Sequence, residues 1–288
     1  MTSTDLALLV DAAADLFRRE CSSEVVAQAE REGWAPALWA ALEESGLTRV
    51  GAEASREEAL AVVRVAARFA APVPLAETVL AMMLESDLPE RGPLSVAAAG
   101  RATYGRFAVR IVGGNQFALT PDVNYAGEPW DRVEPAGLDP MLLEGALVRA
   151  VQMAGAMETV LELTVDYAAQ RQQFGVPLNR FQAVQQHLAA LAAEVVAAGA
   201  AVDAAVAAPS EFNVAAAKVR CGEAAGAASA IAHQVHGAIG FTDEHRLQQF
   251  TRRLWSWRDD FGTESQWAIR LGRLAASIGA EGIWEMTI

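Results

Sequence analysis

Two long helical patterns are separated by the stretch RQQFGVPLNRFQ, residues Arg171–Gln182. The stretch holds a fixed cation, an aromatic ring and a glycine, and the second helical pattern follows at once. Asn179 and Gln182 have the spacing of a capping box, which predicts that the helix begins there and that its free N–H groups point back toward Arg171. This combination suits an anionic, phosphate-bearing ligand with a planar base. Because the connection is short, it also predicts that the two helices are antiparallel neighbours in a bundle.

Composition favours a mainly α protein. Of the 288 residues, 52% are hydrophobic, and much of that share is alanine, the residue that favours helix most. Glycine, proline and β-forming residues concentrate between residues 92 and 135. We therefore predict three parts: an N-terminal helical domain over residues 1–90, a much reduced β segment over 91–138, and a C-terminal four-helix bundle over 139–288. The predicted long helices cover residues 4–29, 36–45, 56–71, 75–85, 141–170, 179–208, 210–236 and 243–277.

Charge and cysteine usage exclude several classes of function. The net charge is −13 with no basic cluster, which argues against nucleic acid or an anionic membrane as a partner. The N-terminus lacks the basic region of a signal peptide, so we expect a cytoplasmic chain. Two cysteines are too few for a disulfide framework or a thiolate metal site, and no metal is predicted. The most apolar tract, 188–208, is interrupted by Glu194 and Asp203 and is interpreted as a packed helix.

A second motif, QVHGAIGFT at Gln234–Thr242, lies at the junction of two later helical patterns. Its glycines either end a helix or allow backbone amides to approach a ligand closely. Together with Arg171–Gln182 and the preceding Tyr167, it resembles the pair of C-terminal motifs of acyl-CoA dehydrogenases. The segment LEESGL at Leu42–Leu47 is similar to part of the N-terminal helical domain of that family.

The resemblance implies an acyl-CoA dehydrogenase-like fold and a flavin-dependent oxidoreductase that removes the α and β hydrogens of an acyl thioester as a proton and a hydride. By resemblance, three residues contact the pyrophosphate and adenosine half of FAD, and two more flank it. In the family, these residues serve the FAD of the neighbouring subunit. The implied cofactor-binding residues are Arg171, Phe174, Gln182, Gln234 and Gly237.

Two parts of the family pattern are missing. The β segment is about half the usual length and lacks the family's flavin-binding loop. Phe261 occupies the position where relatives commonly have the catalytic glutamate, and a phenyl ring cannot accept a proton. Asp260 is the candidate base beside it, and the alternative interpretation is a solvated helix surface near Arg252, Arg253 and Arg258. Some relatives have the base on the helix that precedes Arg171, where this chain has Glu158 and Glu162.

Of the residues that form the FAD site in the family, this chain retains those that a subunit contributes to the FAD of its neighbour. The resemblance therefore indicates a short subunit, without a base of its own, of a heteromeric α2β2 acyl-CoA dehydrogenase. A full-length partner would bind most of the acyl-CoA substrate, and several such enzymes act on steroid side-chain CoA esters. Two alternatives stay open: a self-sufficient dehydrogenase that uses Asp260 as its base, and a flavin-free structural or regulatory subunit.

Overall fold

The computed structural model describes residues 3–97, 101–116, 122–135 and 139–286. It confirms a mainly α fold with few strands, helical at both ends of the chain. The helices before the strands are α1 (Ser3–Glu20), α2 (Ser23–Glu32), α3 (Pro36–Glu44), α4 (Val50–Glu53), α5 (Arg56–Arg68) and α6 (Leu75–Leu84).

The single helix predicted over residues 4–29 is two helices. The chain breaks at Cys21 and Ser22, where Ser22 adopts an extended conformation and its side chain accepts a hydrogen bond from the N–H of Val25. This N-cap satisfies a free donor of α2 and allows the chain to turn. A capping box at Ser55 and Glu58 begins α5 in the same way.

The central segment forms short strands. β1 pairs with β3 in parallel, while β2, β4 and β5 pair with β6 in antiparallel register. The strand predicted over residues 107–112 is shorter than expected, because a 3₁₀ turn occupies Gly105–Phe107. The boundary predicted at residue 138 lies outside the described residues. The strands are β1 (Leu94–Val96), β2 (Arg101–Thr103), β3 (Arg110–Val112), β4 (Gly114–Gln116), β5 (Asp122–Val123) and β6 (Pro129–Pro135).

The last predicted helix, over residues 243–277, is also two helices. Phe261 and Gly262 both have positive φ, which ends the first of them. Thr263 and Gln266 then form a capping box: the hydroxyl of Thr263 accepts from the Gln266 N–H, and the Gln266 amide oxygen accepts from the Thr263 N–H. The C-terminal helices are α7 (Asp139–Gln170), α8 (Gln182–Ala207), α9 (Glu211–His236), α10 (Leu247–Asp259) and α11 (Glu264–Met286).

Helix α7 is the centre of the core and packs against α5, α8, α9 and α10. Glycines allow the closest approaches along it. A Cβ at Gly155 would lie 2.3 Å from the carbonyl oxygen of Arg64 on α5. A Cβ at Gly145 would lie 2.0 Å from the ring of Phe261 in the loop before α11. Both α5 and this loop therefore lie directly against the α7 backbone.

Helix α8 is, by length and composition, apolar enough to cross a membrane, with 33% of its most apolar window buried. It packs along α7 and α9, and the side chains that face them are buried, among them Leu191, Val195 and Val202. The packing agrees with the interpretation of this tract as a packed helix.

We predict that Gly145→Ala destabilises the protein, because the new methyl group overlaps the buried ring of Phe261 and either the ring or the helix must shift. The expected loss is about 1–3 kcal/mol of the free energy of unfolding, measured by urea titration. Gly272→Ala on exposed α11 is the control, since a Cβ there meets nothing within 4 Å. It should be neutral or stabilising by up to about 1 kcal/mol. Equal effects of the two substitutions would contradict the close packing of Phe261.

Candidate functional site

The loop between α7 and α8 is a small hairpin. β7 (Gln172–Gln173) and β8 (Val176–Pro177) pair antiparallel through a two-residue turn, Phe174 and Gly175. Both turn residues have positive φ, 53° and 81°, as a type I′ turn requires. Glycine and asparagine suit this turn, whereas an aromatic residue there is strained. The turn places Phe174 at the tip of the hairpin, where the residue is 93% exposed.

The base of the hairpin is anchored to the bundle. The N–H of Arg171 donates to the carbonyl of Tyr167 at 2.8 Å, and the N–H of Leu178 donates back to the carbonyl of Arg171 at 2.8 Å. The side chain of Leu178 is buried in a small apolar cluster with Ala168 of α7 and Val235 of α9. Arg171 is therefore fixed by its backbone while its side chain is exposed.

The predicted capping box at the start of α8 is wrong. Residues Leu178–Arg180 form a 3₁₀ turn, α8 begins at Gln182, and Phe181 occupies the N-cap position without a side-chain cap. Burial of Leu178 draws this turn into the bundle, so Asn179 does not reach the cap position. The first-turn N–H groups of α8 have no intrahelical acceptors and lie where an anionic group could use them.

The second motif follows the end of α9. The helix ends at His236, and Gly237 has a φ of 65° with open space where a Cβ would be. The conformation therefore requires the glycine, and packing does not. A 3₁₀ turn continues over Gly237–Phe241, and Gln234 is exposed on the last turn of α9.

A cleft of about 560 Å³ joins the two motifs at one end of the bundle. Three of the five predicted cofactor-binding residues line it: Arg171, Gln234 and Gly237. Gln182 is exposed beside the cleft residue Ala183, and Phe174 extends at the hairpin tip, with its ring centroid 6.3 Å from that of Phe181. The other lining residues are Tyr167, Gln173, Leu178, Ala183, Val184, His187, Val235, His236, Ala238 and Ile239.

The charge of the cleft is opposite to that of the chain. The sequence has 36 acidic residues against 23 basic ones, yet no acidic residue is among those that line the cleft in the described chain. Arg171 supplies a permanent positive charge, and the N-terminus of α8 adds a partial one. Phosphate groups are the ligands that such a set of donors favours.

His236 of the second motif also lines the cleft. Its ring is 4% exposed and stacks on Tyr167 with centroids 4.4 Å apart. Burial lowers the pKa of His236 below its ordinary value, so the ring is neutral near pH 7. The ring of His233 stacks on Phe241, and its Nε2 atom forms a hydrogen bond of 3.0 Å with the hydroxyl of Thr251.

Phe261, at the position where the sequence resemblance predicts a catalytic glutamate, is buried. Phe261 is 7% exposed, and its ring fills the space over Gly145. Only a cavity of about 60 Å³ remains beside it, room for one or two waters, and its lining includes Asp260, Glu77 and Arg149. An acyl thioester does not fit in that volume.

Asp260 lies in an ion-pair network inside this cavity. The guanidinium of Arg149, 2% exposed, contacts Asp260 at 3.1 Å and Glu77 at 2.7 Å. This corrects the expectation that Asp260 belongs to a solvated surface near Arg252, Arg253 and Arg258. Those three arginines pair with other carboxylates, Glu30 and Glu264. Asp260 as a base stays a prediction.

The alternative carboxylates, Glu158 and Glu162, face α5. Glu158 pairs with Arg64 at 2.6 Å and with Arg68 at 3.5 Å, and Glu162 pairs with Arg68 at 2.7 Å. Both groups therefore connect the helices α5 and α7. They lie outside the linings of the cleft and of the small cavity beside Phe261.

Two buried side chains, Trp267 and Lys218, fix the loop of Phe261 through hydrogen bonds that no sequence pattern predicted. The indole N–H of Trp267 donates to the carbonyl of Phe261 at 2.9 Å. The ammonium of Lys218 donates to the last carbonyls of α10, those of Trp257 at 2.9 Å and Arg258 at 3.0 Å. Trp257 and Trp267 are core residues, whereas Trp255 is 44% exposed. A lysine in an alanine-rich helical tract was the only sequence signal for Lys218.

Residues 140–264 match the family described as "Acyl-CoA dehydrogenase, C-terminal domain". The chain is 29% identical over 284 residues to acyl-CoA dehydrogenase IpdE2 of Mycobacterium tuberculosis, covering 85% of this chain and 89% of that relative. Its fold is similar to a chain of the ChsE4-ChsE5 complex from Mycobacterium tuberculosis, with a TM-score of 0.79, 19% identity and coverage of 97% and 99%. It is also similar to a chain of the Tcur3481-Tcur3483 steroid ACAD, with a TM-score of 0.81, 19% identity and coverage of 95% and 98%.

We predict that Lys218 makes stability rise with pH above about 8. Burial lowers the pKa of Lys218 from 10.5 to about 8, so between these values the unfolded chain binds the proton and the folded chain does not. The free energy of unfolding should therefore increase from pH 8 to 10.5, by up to about 3 kcal/mol from this group. Urea titrations of the wild type and of Lys218→Met at pH 7.5, 9 and 10 isolate the effect. Parallel curves for the two proteins would show that Lys218 does not cause it.

Proposed function

The chain belongs to the acyl-CoA dehydrogenase family, and we propose that it is the short subunit of a flavin-dependent acyl-CoA dehydrogenase built from two kinds of chain. In this proposal it lends the adenosine-pyrophosphate half of the FAD site to a full-length partner, which supplies the base and most of the acyl-CoA pocket.

The contrast between the two ends of α7 is the observation that carries this proposal. Near Arg171 there is an open cleft of about 560 Å³, and none of the described residues that line it carries a carboxylate. Beside Phe261 there is a cavity of about 60 Å³, enclosed by a paired aspartate, a paired glutamate and a buried ring. A self-sufficient dehydrogenase needs both regions open. One open region suits a chain that binds part of a cofactor.

The residues at the cleft fit the adenosine-pyrophosphate part of FAD. Arg171 and the N–H groups at the start of α8 offer donors and positive charge to two phosphates. Phe174 offers an exposed aromatic face to a planar base, and Gly237 keeps the backbone accessible. Bound FAD would accept the hydride from the β carbon of the acyl thioester. This chain's contribution is to hold and orient the far end of the cofactor.

Two proteins with similar folds support a proposal for the partner and for the class of substrate. One of the similar folds is a chain of a two-protein complex, and another belongs to a two-protein steroid ACAD. We therefore propose a full-length acyl-CoA dehydrogenase chain as the partner, in an α2β2 assembly. A bulky CoA thioester such as a steroid side-chain ester is the proposed substrate class.

The central test is co-expression of this chain with a full-length acyl-CoA dehydrogenase chain as its partner. Arg171→Ala should weaken FAD binding of the purified complex about 10- to 100-fold, because a charge-assisted contact to phosphate is lost. Arg180→Ala is the matched control, since Arg180 is exposed on the same connection but outside the cleft lining. Flavin content after dialysis and the rate of substrate-dependent flavin bleaching are the measurements.

The same preparations distinguish the alternatives. A complex whose flavin content is equal in the wild type and in Arg171→Ala would indicate a flavin-free structural subunit. A yellow, substrate-bleachable oligomer of this chain alone, inactivated by Asp260→Asn, would indicate a self-sufficient enzyme. Either result would overturn the proposal.

We further predict that Phe174→Asn has opposite effects on folding and on cofactor binding. Asparagine tolerates the positive φ of the turn, so the free energy of unfolding should rise by up to about 1 kcal/mol. The aromatic face is lost at the same time, so the complex should lose FAD more readily. Urea titration and flavin retention measure the two effects, and Gln172→Ala, which is exposed in the same hairpin but outside the cleft lining, controls for changes to the hairpin. A rise in both stability and flavin retention would contradict a role for the ring.

A further inference from the structure

Two imidazole rings pack against each other where the second motif turns from α9 toward α10. The centroids of the rings of His236, the last residue of α9, and His245, two residues before α10, lie 4.6 Å apart. The ring of Tyr167 on α7 stacks on His236 at 4.4 Å and meets His245 edge-on at 6.1 Å. The three rings therefore join both ends of the segment 237–244, whose first three residues line the cleft.

The hydrogen bonds of the two imidazoles require that both be neutral. Nδ1 of His236 lies 2.8 Å from the carbonyl oxygen of Ala232, so Nδ1 carries the hydrogen, and Nε2 is buried without a partner in the described chain. Nδ1 of His245 accepts from the N–H of Leu247, the first residue of α10, at 3.2 Å. A proton on Nε2 of His236 would be buried without an acceptor, and a proton on Nδ1 of His245 would break the bond to α10.

The charged groups nearby do not compensate a positive charge on either ring. Burial lowers the pKa of His236, and burial together with His236 and Arg246 lowers the pKa of His245. The carboxylate of Glu162 on α7 acts on Arg246 but is paired with Arg68 at 2.7 Å. Asp243 and Glu244 precede His245 on an exposed turn, and the other titratable or charged groups around the cluster are Cys21, Arg171, His187 and His233.

We propose that His236 and His245 form an acid-sensitive latch, in which the neutral pair holds the second motif in the conformation that lines the cleft and protonation of either ring releases it. Well above pH 6.5 the rings are neutral in the closed and the open forms, so the latch does not respond to pH. Below that value the open form binds protons that the closed form excludes, so the open fraction rises as the pH falls. The latch is a property of this chain's fold and applies to any ligand of the cleft.

Amide hydrogen exchange of the full chain tests the latch. Peptides that cover residues 237–246 report its opening at pH 7.5 and 5.5, after correction for the intrinsic exchange rate. Each ring that gains its proton only in the open form should raise the opening constant about 10-fold at pH 5.5, because an ordinary histidine titrates near pH 6.5. Protection of the segment should therefore fall about 10- to 100-fold. Protection of α5 should stay constant, because the opening is local.

Two substitutions remove the protons and keep the packing. His245→Asn keeps a side-chain acceptor for the Leu247 N–H, and His236→Phe keeps a ring against Tyr167. Each should reduce the effect of pH by about 10-fold. The matched control is His187→Asn, which removes an exposed histidine of α8 and should leave the whole effect in place. A wild type without the effect, or an effect of equal size in the wild type and in both latch variants, would overturn the proposal.

If a variant does not fold, NMR titration of the imidazoles of the wild type decides. The sequence has four histidines, and the signal of exposed His187 is the internal reference, identified by its loss in His187→Asn. At least two of the other three signals should titrate at lower pH than His187. Titration of all four at the same pH would refute the latch.

The outcomes are independent of the proposed function. A chain whose complex retains flavin equally with and without Arg171 can still show the latch, because the exchange experiment contains no flavin. A segment whose protection does not depend on pH refutes the latch and leaves the proposed FAD site untouched.

Discussion

The buried guanidinium of Arg149 constrains the rest of this structure. A charge that is 2% exposed must be paired, because an isolated buried ion costs several kcal/mol. Its partners come from separate elements, Glu77 on α6 and Asp260 after α10, and both must be in place for α7 to pack. Once Asp260 is held there, the next residue, Phe261, is directed onto Gly145. The closure of the family's base position is therefore a consequence of core packing.

Helix α7 carries this constraint toward one end and Tyr167 of the cleft toward the other. Its 32 residues span about 48 Å, and Arg149 and Tyr167 are about 27 Å apart along it. Ion pairs from Arg64 and Arg68 hold the intervening turns of α7 against α5. The two regions are therefore separate along α7, which agrees with the proposal that this chain completes the site of a neighbouring subunit.

Local sequence signals predicted the helical fold and the ends of most helices, because apolar periodicity and proline positions act over a few residues. They missed the breaks at Ser22 and Thr263, although Thr263 and Gln266 have a readable capping-box spacing. The reverse error occurred at Asn179, where burial of Leu178 overrides a local capping signal. Tertiary packing decided that case.

In the candidate site, too, some features were predicted from the sequence and others depend on tertiary packing. The residues of the two motifs meet at one cleft, as their resemblance to a known pair of motifs implied. The pairing of Asp260 with Arg149 joins residues 111 positions apart, and nothing in either local pattern indicates it. The same holds for Lys218, whose partners are backbone carbonyls of another helix. Such contacts depend on the packing of whole helices, so they become visible only in the folded chain.

Exposure also distinguishes the two regions. Phe174 at the cleft and Phe261 at the base position both have positive φ, a conformation that L-residues rarely adopt, so backbone strain is common to both. Phe174 is 93% exposed, whereas Phe261 is 7% exposed and packs on Gly145. Near Phe261 the buried ions Arg149 and Lys218 each have partners. The region around Phe261 is therefore filled by the chain's own side chains, whereas the hairpin beside the cleft presents an aromatic ring that this chain does not cover.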